Sequence, residues 1–120
     1  MTQLKKIIFV SGTRADFGKL QPLASKAAEN RFEVIFFVTG MHMMRAYGLT
    51  KEEIHSFSEF EVNEFLNQRE NDTQDQILAK TINGFSDFVC ENIPDLVIIH
   101  GDRIEALACS IVCALNNILC

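Results

Sequence analysis

Positive charge is scarce in this chain. Eleven Lys and Arg stand against sixteen Asp and Glu, a net charge of −5, which leaves no basic field to draw in a nucleic-acid backbone. Long apolar runs are missing too. Nothing approaches the roughly 18 to 20 residues that a spanning helix needs, and the N-terminal MTQLKKII has neither the apolar core nor the small-residue cleavage site of a secretion signal. The composition reads as cytoplasmic, with no nucleic-acid or membrane partner. Cys90, Cys109, Cys113 and Cys120 show no C-x-x-C spacing, which removes the usual redox motif. Cys109 and Cys113 would share a helix face, but no further Cys or His stands near them to complete a metal site. All four lie in apolar surroundings and read as reduced, buried thiols. Repeats, low-complexity tracts and linkers are absent as well. With 48% hydrophobic and 22% charged residues, the 120 residues form a single folded domain, residues 1–120, and disorder is excluded.

What the chain does have is alternation between short apolar runs and amphipathic segments, the pattern of an α/β fold. Residues 6–10 predict a first strand, and Leu20, Leu23, Ala24 and Ala27 give one face to a helix over 18–30, with Pro22 either near its first turn or kinking it. Residues 33–38 are almost wholly apolar, as in a strand covered on both faces. Thr50 with Glu53 marks a capping box and a short helix, and residues 60–65 alternate as an edge strand. Thr73 with Gln76 opens a second capping-box helix to about residue 92, striped by Ile77, Ile82, Phe85, Phe88 and Val89. LVIIHGD is the most strand-like run, and RIEALACSIVCALN is the helix behind it. After Asn116 and Asn117 a new apolar run begins at Ile118 and stops at Cys120. A buried strand takes about 4 to 8 residues, so the sequence reads as a piece of a longer chain, cut inside a strand. The expected architecture is a doubly wound, mostly parallel Rossmann-like sheet. Ligands of such sheets bind beyond the C-terminal strand ends, which places residues 11–18, 39–42 and 101–103 on one rim.

Three rim motifs carry chemistry. In SGTRADFG, a glycine allows close backbone approach, N–H groups precede a helix N-terminus, and Arg14 offers a fork of donors suited to phosphate. The plainer reading is a turn in which Arg14 pairs with Asp16. Neither G-x-G-x-x-G nor G-x-x-x-x-G-K-[ST] is present. In HGDRIEA, Asp102 and Arg103 end the most central strand, and a carboxylate held there could act as acid or base. The same D-x-x-E spacing also suits Asp102 as a helix N-cap with Glu105 as its partner. In TGMHMM, His42 is a candidate ligand contact or simply a packed loop residue. His55 reads as solvated, and His100, inside the strand, as core or as a support for its neighbours.

With these motifs in order, the chain resembles the N-terminal part of the hydrolysing UDP-N-acetylglucosamine 2-epimerases that open sialic acid and related nonulosonic acid pathways. GTRADFGKL, VTGMH, YGLTKEEI, DLVIIHGDRIEALA and ALNNI carry the resemblance over nearly all 120 residues. It implies a two-domain glycosyltransferase-B-like fold, of which this would be the partial N-terminal domain, with the active site between the halves. It also implies loss of the C2 proton and of UDP to a glucal-type intermediate, then addition of water to give N-acetylmannosamine. No cofactor and no metal are implied. By the same resemblance Arg14 and Arg103 contact UDP, Gly18 offers a backbone contact, Asp102 is an acid/base carboxylate, and copies associate as a homodimer or larger homo-oligomer. The helix over 73–92 carries more apolar residues than one sheet face is expected to need, which points the same way. One half of a cleft is expected to be inactive alone. The alternatives are a UDP-diacetamido-trideoxy-sugar epimerase, a non-hydrolysing epimerase, a glycosyltransferase, or a non-catalytic binding module.

Overall fold

A computed structural model describes residues 5–40 and 60–120, apart from the side chain of Arg14. The short helix expected near Thr50, together with His42 and His55, lies outside the described residues. Four strands follow from the β-branched and aromatic runs: β1 (Lys6–Ser11), β2 (Glu33–Val38), β3 (Glu61–Glu64) and β4 (Leu96–Ile99). They pair in the order β3-β2-β1-β4, every pairing parallel, with Lys6 opposite Glu33 and Ile7 opposite Leu96. Parallel strands need covering on both faces, and the alternation of side chains sorts the core accordingly. Ile7, Phe9, Val34, Phe36 and Val38 meet Phe17, Leu20 and Ala24 of helix α1 (Arg14–Glu29). Ile8, Val10, Ile35, Phe37 and Val97 meet α2 (Gln74–Glu91) and α3 (Ile104–Leu115) through Phe85, Phe88, Val89, Cys109, Val112 and Cys113. The expected doubly wound α/β sheet is therefore present.

Phenylalanine rings set the spacing of both layers. Phe37 lies 5.0 Å from Phe85 and 5.1 Å from Phe88, while Phe36 lies 5.3 Å from Phe9 and 5.0 Å from Phe60. Gly84, inside α2, makes room for one more ring, since a Cβ there would collide with the Phe65 ring. The apolar stripe of α2 is consumed by this core: Ile77, Phe85, Phe88 and Val89 are all buried. The apolar surplus expected on that helix is thus not on its outer face.

Several boundaries differ from the sequence reading. Helix α1 starts at Arg14, one turn before the expected Gly18, because the Thr13 hydroxyl accepts the N–H of Asp16 at 3.1 Å and caps the helix. Pro22 consequently lies in the helix interior, where the carbonyl it cannot serve is that of Gly18. Strand β4 ends at Ile99, so His100 falls in the following loop and is exposed. The N-cap of α3 is Arg103, without a side-chain cap bond, and the expected Asp102–Glu105 capping box does not form. Gly101, at φ +109°, turns the chain there. At the start of α2 the expected box does form, with Thr73 N–H donating to Gln76 Oε1 at 2.9 Å. Cys109 and Cys113 are buried, but Cys90 and Cys120 are exposed. Cys90 falls off the buried stripe of α2.

Helix ends are closed by Schellman turns. Phe32 N–H reaches Ala27 O past Arg31 at φ 67°, and Ile118 N–H reaches Cys113 O past Asn117 at φ 54°. The run from Ile118 is not a strand, although Val97 N–H donates to Leu119 O at 2.9 Å along the outer edge of β4.

Candidate functional site

Parallel strands deliver their C-terminal loops to one edge of the sheet. β1 ends in Ser11 and Gly12, β2 in Thr39 and Gly40, β3 leads to Asn67, and β4 leads to His100, Gly101, Asp102 and Arg103. Helix α1 leaves β1 for one face and α3 leaves β4 for the other, so the gap between β1 and β4 is the switch point where such folds bind ligands.

Asp16 closes that gap. Its Oδ2 accepts Gly12 N–H at 3.3 Å, and its Oδ1 stands 3.2 Å from His100 Nδ1. It thereby bridges the β1 and β4 loops; the expected Arg14–Asp16 pairing rests on a side chain outside the described ones. When Nδ1 of His100 carries a proton it donates to the carboxylate. A Cβ at Gly101 would stand 3.2 Å from Asp16 Oδ1, so the glycine lets the loop pass close to the carboxylate. The Asp16–His100 pair was not among the residues singled out from sequence. Two residues separated by that much chain meet only through the β1–β4 pairing.

Beneath the rim lies Glu105, 3% exposed. Asn67, fully buried, donates from Nδ2 to Glu105 Oε2 at 3.1 Å and to Thr81 Oγ1 at 2.9 Å, while its Oδ1 accepts Gly40 N–H at 3.1 Å. Gly40 has φ +64°, and a Cβ there would stand 2.9 Å from both Glu105 Oε1 and Gly12 O. Thr39 ties the β2 end to the β3 exit, its hydroxyl donating to Phe65 O at 2.6 Å. From sequence, Glu105 was legible only as a capping partner, and Asn67 carried no signal.

Of the residues predicted for the site, Asp102 and Arg103 are exposed on the rim. With Gln74 and Ile104 they line an open depression of about 320 Å³. Arg103 Nε donates to Glu105 Oε1 at 3.4 Å. Arg14 is the first residue of α1, at the same strand end, so its backbone N–H belongs to the helix N-terminus. Gly18 is a turn further on and exposed, with nothing within 4 Å of a Cβ built there. An N–H at that depth in a helix is taken by the carbonyl four residues back, which leaves little backbone to offer a ligand. His42 lies outside the described residues.

The two buried thiols, Cys109 and Cys113, are poor nucleophiles. Burial pushes Cys109 well above its ordinary value, with Cys113 and Glu105 adding to the effect, and burial beside Cys120 pushes Cys113 up to about 12. Among the described residues no His, Cys, Asp and Glu converge as a metal site, and no helix is long and apolar enough to cross a membrane.

A parallel doubly wound sheet with glycine turns, a helix N-terminus and an acidic–basic pair gathered at its switch point belongs to the Rossmann-like class. More narrowly, the chain belongs to the UDP-N-acetylglucosamine 2-epimerase family, whose model matches residues 25–120. It is 42% identical over 115 residues to the UDP-N-acetylglucosamine 2-epimerase of Neisseria meningitidis serogroup B, covering 95% of this chain and 30% of that protein. The UDP-N,N'-diacetylbacillosamine 2-epimerase (hydrolyzing) of Legionella pneumophila is 32% identical over 120 residues, covering 96% and 32%. The S. aureus MnaA–UDP structure superposes with TM-score 0.76 at 28% identity, over 96% of this chain and 29% of that one. The chain thus spans about a third of the length of these relatives, and what it shares with them is one Rossmann-like part of the family's glycosyltransferase-B-like fold.

Proposed function

We propose that residues 1–120 are the N-terminal Rossmann-like domain of a hydrolysing UDP-N-acetylglucosamine 2-epimerase, which converts UDP-N-acetylglucosamine and water to N-acetylmannosamine and UDP. The observation that carries the reading is the convergence of the Gly12–Arg14 turn and the Asp102–Arg103 pair on one rim at the switch point, in a chain of this family. The relative bound to UDP supports a nucleotide-sugar ligand, and one relative named as hydrolyzing supports the hydrolytic branch. In this reading the N-terminus of α1 and Arg14 face the diphosphate with Arg103, because a departing diphosphate needs cationic and backbone donors. Asp102, solvent-facing and not engaged as a helix cap, is the acid/base carboxylate for the C2 proton or its return. His42 is a candidate contact to the sugar, and Gly18 contributes at most van der Waals surface. No cofactor or metal takes part. The enzyme works in the cytoplasm as a homodimer or larger homo-oligomer.

The test is product analysis on the full-length protein with UDP-N-acetylglucosamine and with its diacetamido-trideoxy analogue. Free N-acetylmannosamine with UDP supports the reading. A free epimerised diacetamido sugar moves the substrate to the analogue, and a product still attached to UDP identifies a non-hydrolysing epimerase. Sugar appearing on an acceptor, or no turnover of either substrate, overturns it.

A further inference from the structure

One buried charge has no part in the chemistry above. Glu105 sits where the loops of all four strands meet: Gly12 after β1 and Gly40 after β2 pack against its Oε1, Asn67 after β3 donates to its Oε2, and Arg103 after β4 donates to its Oε1. A carboxylate out of water is costly unless paired and hydrogen-bonded, and among the described residues the cation brought to it is Arg103. The pairing is lopsided. The Glu105 side chain is 4% exposed, while that of Arg103 is 48% exposed. The guanidinium therefore meets the buried carboxylate through Nε, while about half of the arginine side chain faces solvent. A capping glutamate would instead lie on the surface and accept a backbone N–H. Both oxygens of Glu105 go to side chains, and its place in the first turn of α3 favours the negative charge through the helix dipole.

We infer that Glu105 is a positioning residue, which holds the Arg103 guanidinium by Nε so that its two terminal nitrogens meet a nucleotide diphosphate as a fork. The inference rests on the nucleotide-sugar reading and deepens it. An arginine left free would still attract phosphate, but as a mobile charge that must be ordered on binding; a held fork binds with that ordering already done. Two glycines at the rim fit this role, because a side chain at Gly12 or Gly40 would intrude on the Glu105 oxygen that Arg103 uses.

The experiment is Glu105→Gln in the full-length protein. Glutamine keeps the shape and an acceptor for Asn67 but loses the charge that holds Arg103. UDP affinity by calorimetry should fall about tenfold, while the unfolding midpoint stays near that of wild type. The Nε–Hε NMR signal of Arg103, assigned by its loss in Arg103→Lys, should be sharp and slow to exchange in ligand-free wild type and should collapse toward the exposed-arginine position in Glu105→Gln. A folded Glu105→Gln that binds UDP as tightly as wild type overturns the inference alone. If that variant does not fold, the wild-type signal still decides: an Arg103 Nε–Hε exchanging as freely as an exposed arginine overturns it. Wild-type protein that binds no UDP removes the nucleotide-sugar reading and the inference with it.

Discussion

Replacing Asn67 with leucine tests whether the rim is held by one buried polar junction. Asn67 is fully buried and serves Gly40 N–H, Glu105 Oε2 and Thr81 Oγ1. Leucine fills a similar volume and serves none of them. Thr81 keeps its bond to Ile77 O at 2.7 Å, so its loss is small. A buried N–H left without an acceptor costs about 1–3 kcal/mol, and a hydrogen bond to a charged group is worth about 1.5–3 kcal/mol. Taken together, and offset in part by the apolar side chain gained, Asn67→Leu should destabilise by about 2–5 kcal/mol, a large share of the roughly 5–15 kcal/mol of an ordinary domain. Urea unfolding of the full-length protein followed by far-UV circular dichroism gives the number. Exchange of the Gly40 amide should speed up at the same time. Thr81→Val, which removes only one acceptor of the junction, should cost about 1 kcal/mol. A loss below about 1 kcal/mol in Asn67→Leu, with Gly40 exchange unchanged, would mean that water satisfies these groups and that the junction does not hold the rim.

Asp102→Asn in the full-length protein should lower turnover by about 10² to 10⁴ with UDP affinity kept within a few-fold; its stability should stay within about 0.5 kcal/mol of wild type, because the residue is exposed and is not the cap of α3. An unchanged rate would remove Asp102 from the chemistry. Gly84→Ala should destabilise by about 1–3 kcal/mol despite alanine's better helix propensity, since its Cβ would collide with the Phe65 ring and that ring is stacked on Phe37 at 5.8 Å. Denaturant midpoints decide, and a stabilised variant would show that the ring moves aside freely. Cys113 is raised by burial from 9.0 to about 12 in the folded state; its thiol favours the fold fully below pH 9.0 and loses that contribution as pH rises through about 12. Cys113→Val should flatten the fall in unfolding midpoint above pH 9, and an identical alkaline profile would refute the assignment.

The layers of this fold were legible because burial on both faces writes itself into composition. Residues 33–38 read as a covered strand before any pairing was known, and Ile35 and Phe37 do face one helix layer while Val34, Phe36 and Val38 face the other. The stripe Ile77, Phe85, Phe88 and Val89 likewise identified the inner face of α2. Boundaries were less legible where polar residues do the work. The stripe read from sequence began at Leu20, although the buried Phe17 already belongs to it, so the turn capped by Thr13 was missed, and Pro22 looked like a start signal although it lies mid-helix. At the head of α3 the opposite error arose. The spacing of Asp102 and Glu105 suits a capping box, but Gly101 at φ +109° carries the chain one residue further and makes Arg103 the N-cap.

That one-residue displacement explains why half of the candidate site could be read and half could not. Asp102 and Arg103 announce themselves as polar residues at the end of an apolar strand, a signal confined to a few neighbouring positions. Glu105 is polar for a reason that no neighbour supplies, since the partners that make its burial tolerable come from Asn67 and from the glycine turns after β1 and β2. Had Asp102 been the cap, Glu105 would have belonged to the cap as well and would have spent its oxygens on backbone N–H groups at the surface. Moving the cap to Arg103 frees Asp102 to face solvent and brings Glu105 to the second position of the helix, where its side chain enters the junction under the rim. The same shift therefore separates two carboxylates of one motif into different environments, one exposed to solvent and one buried against the arginine between them in sequence.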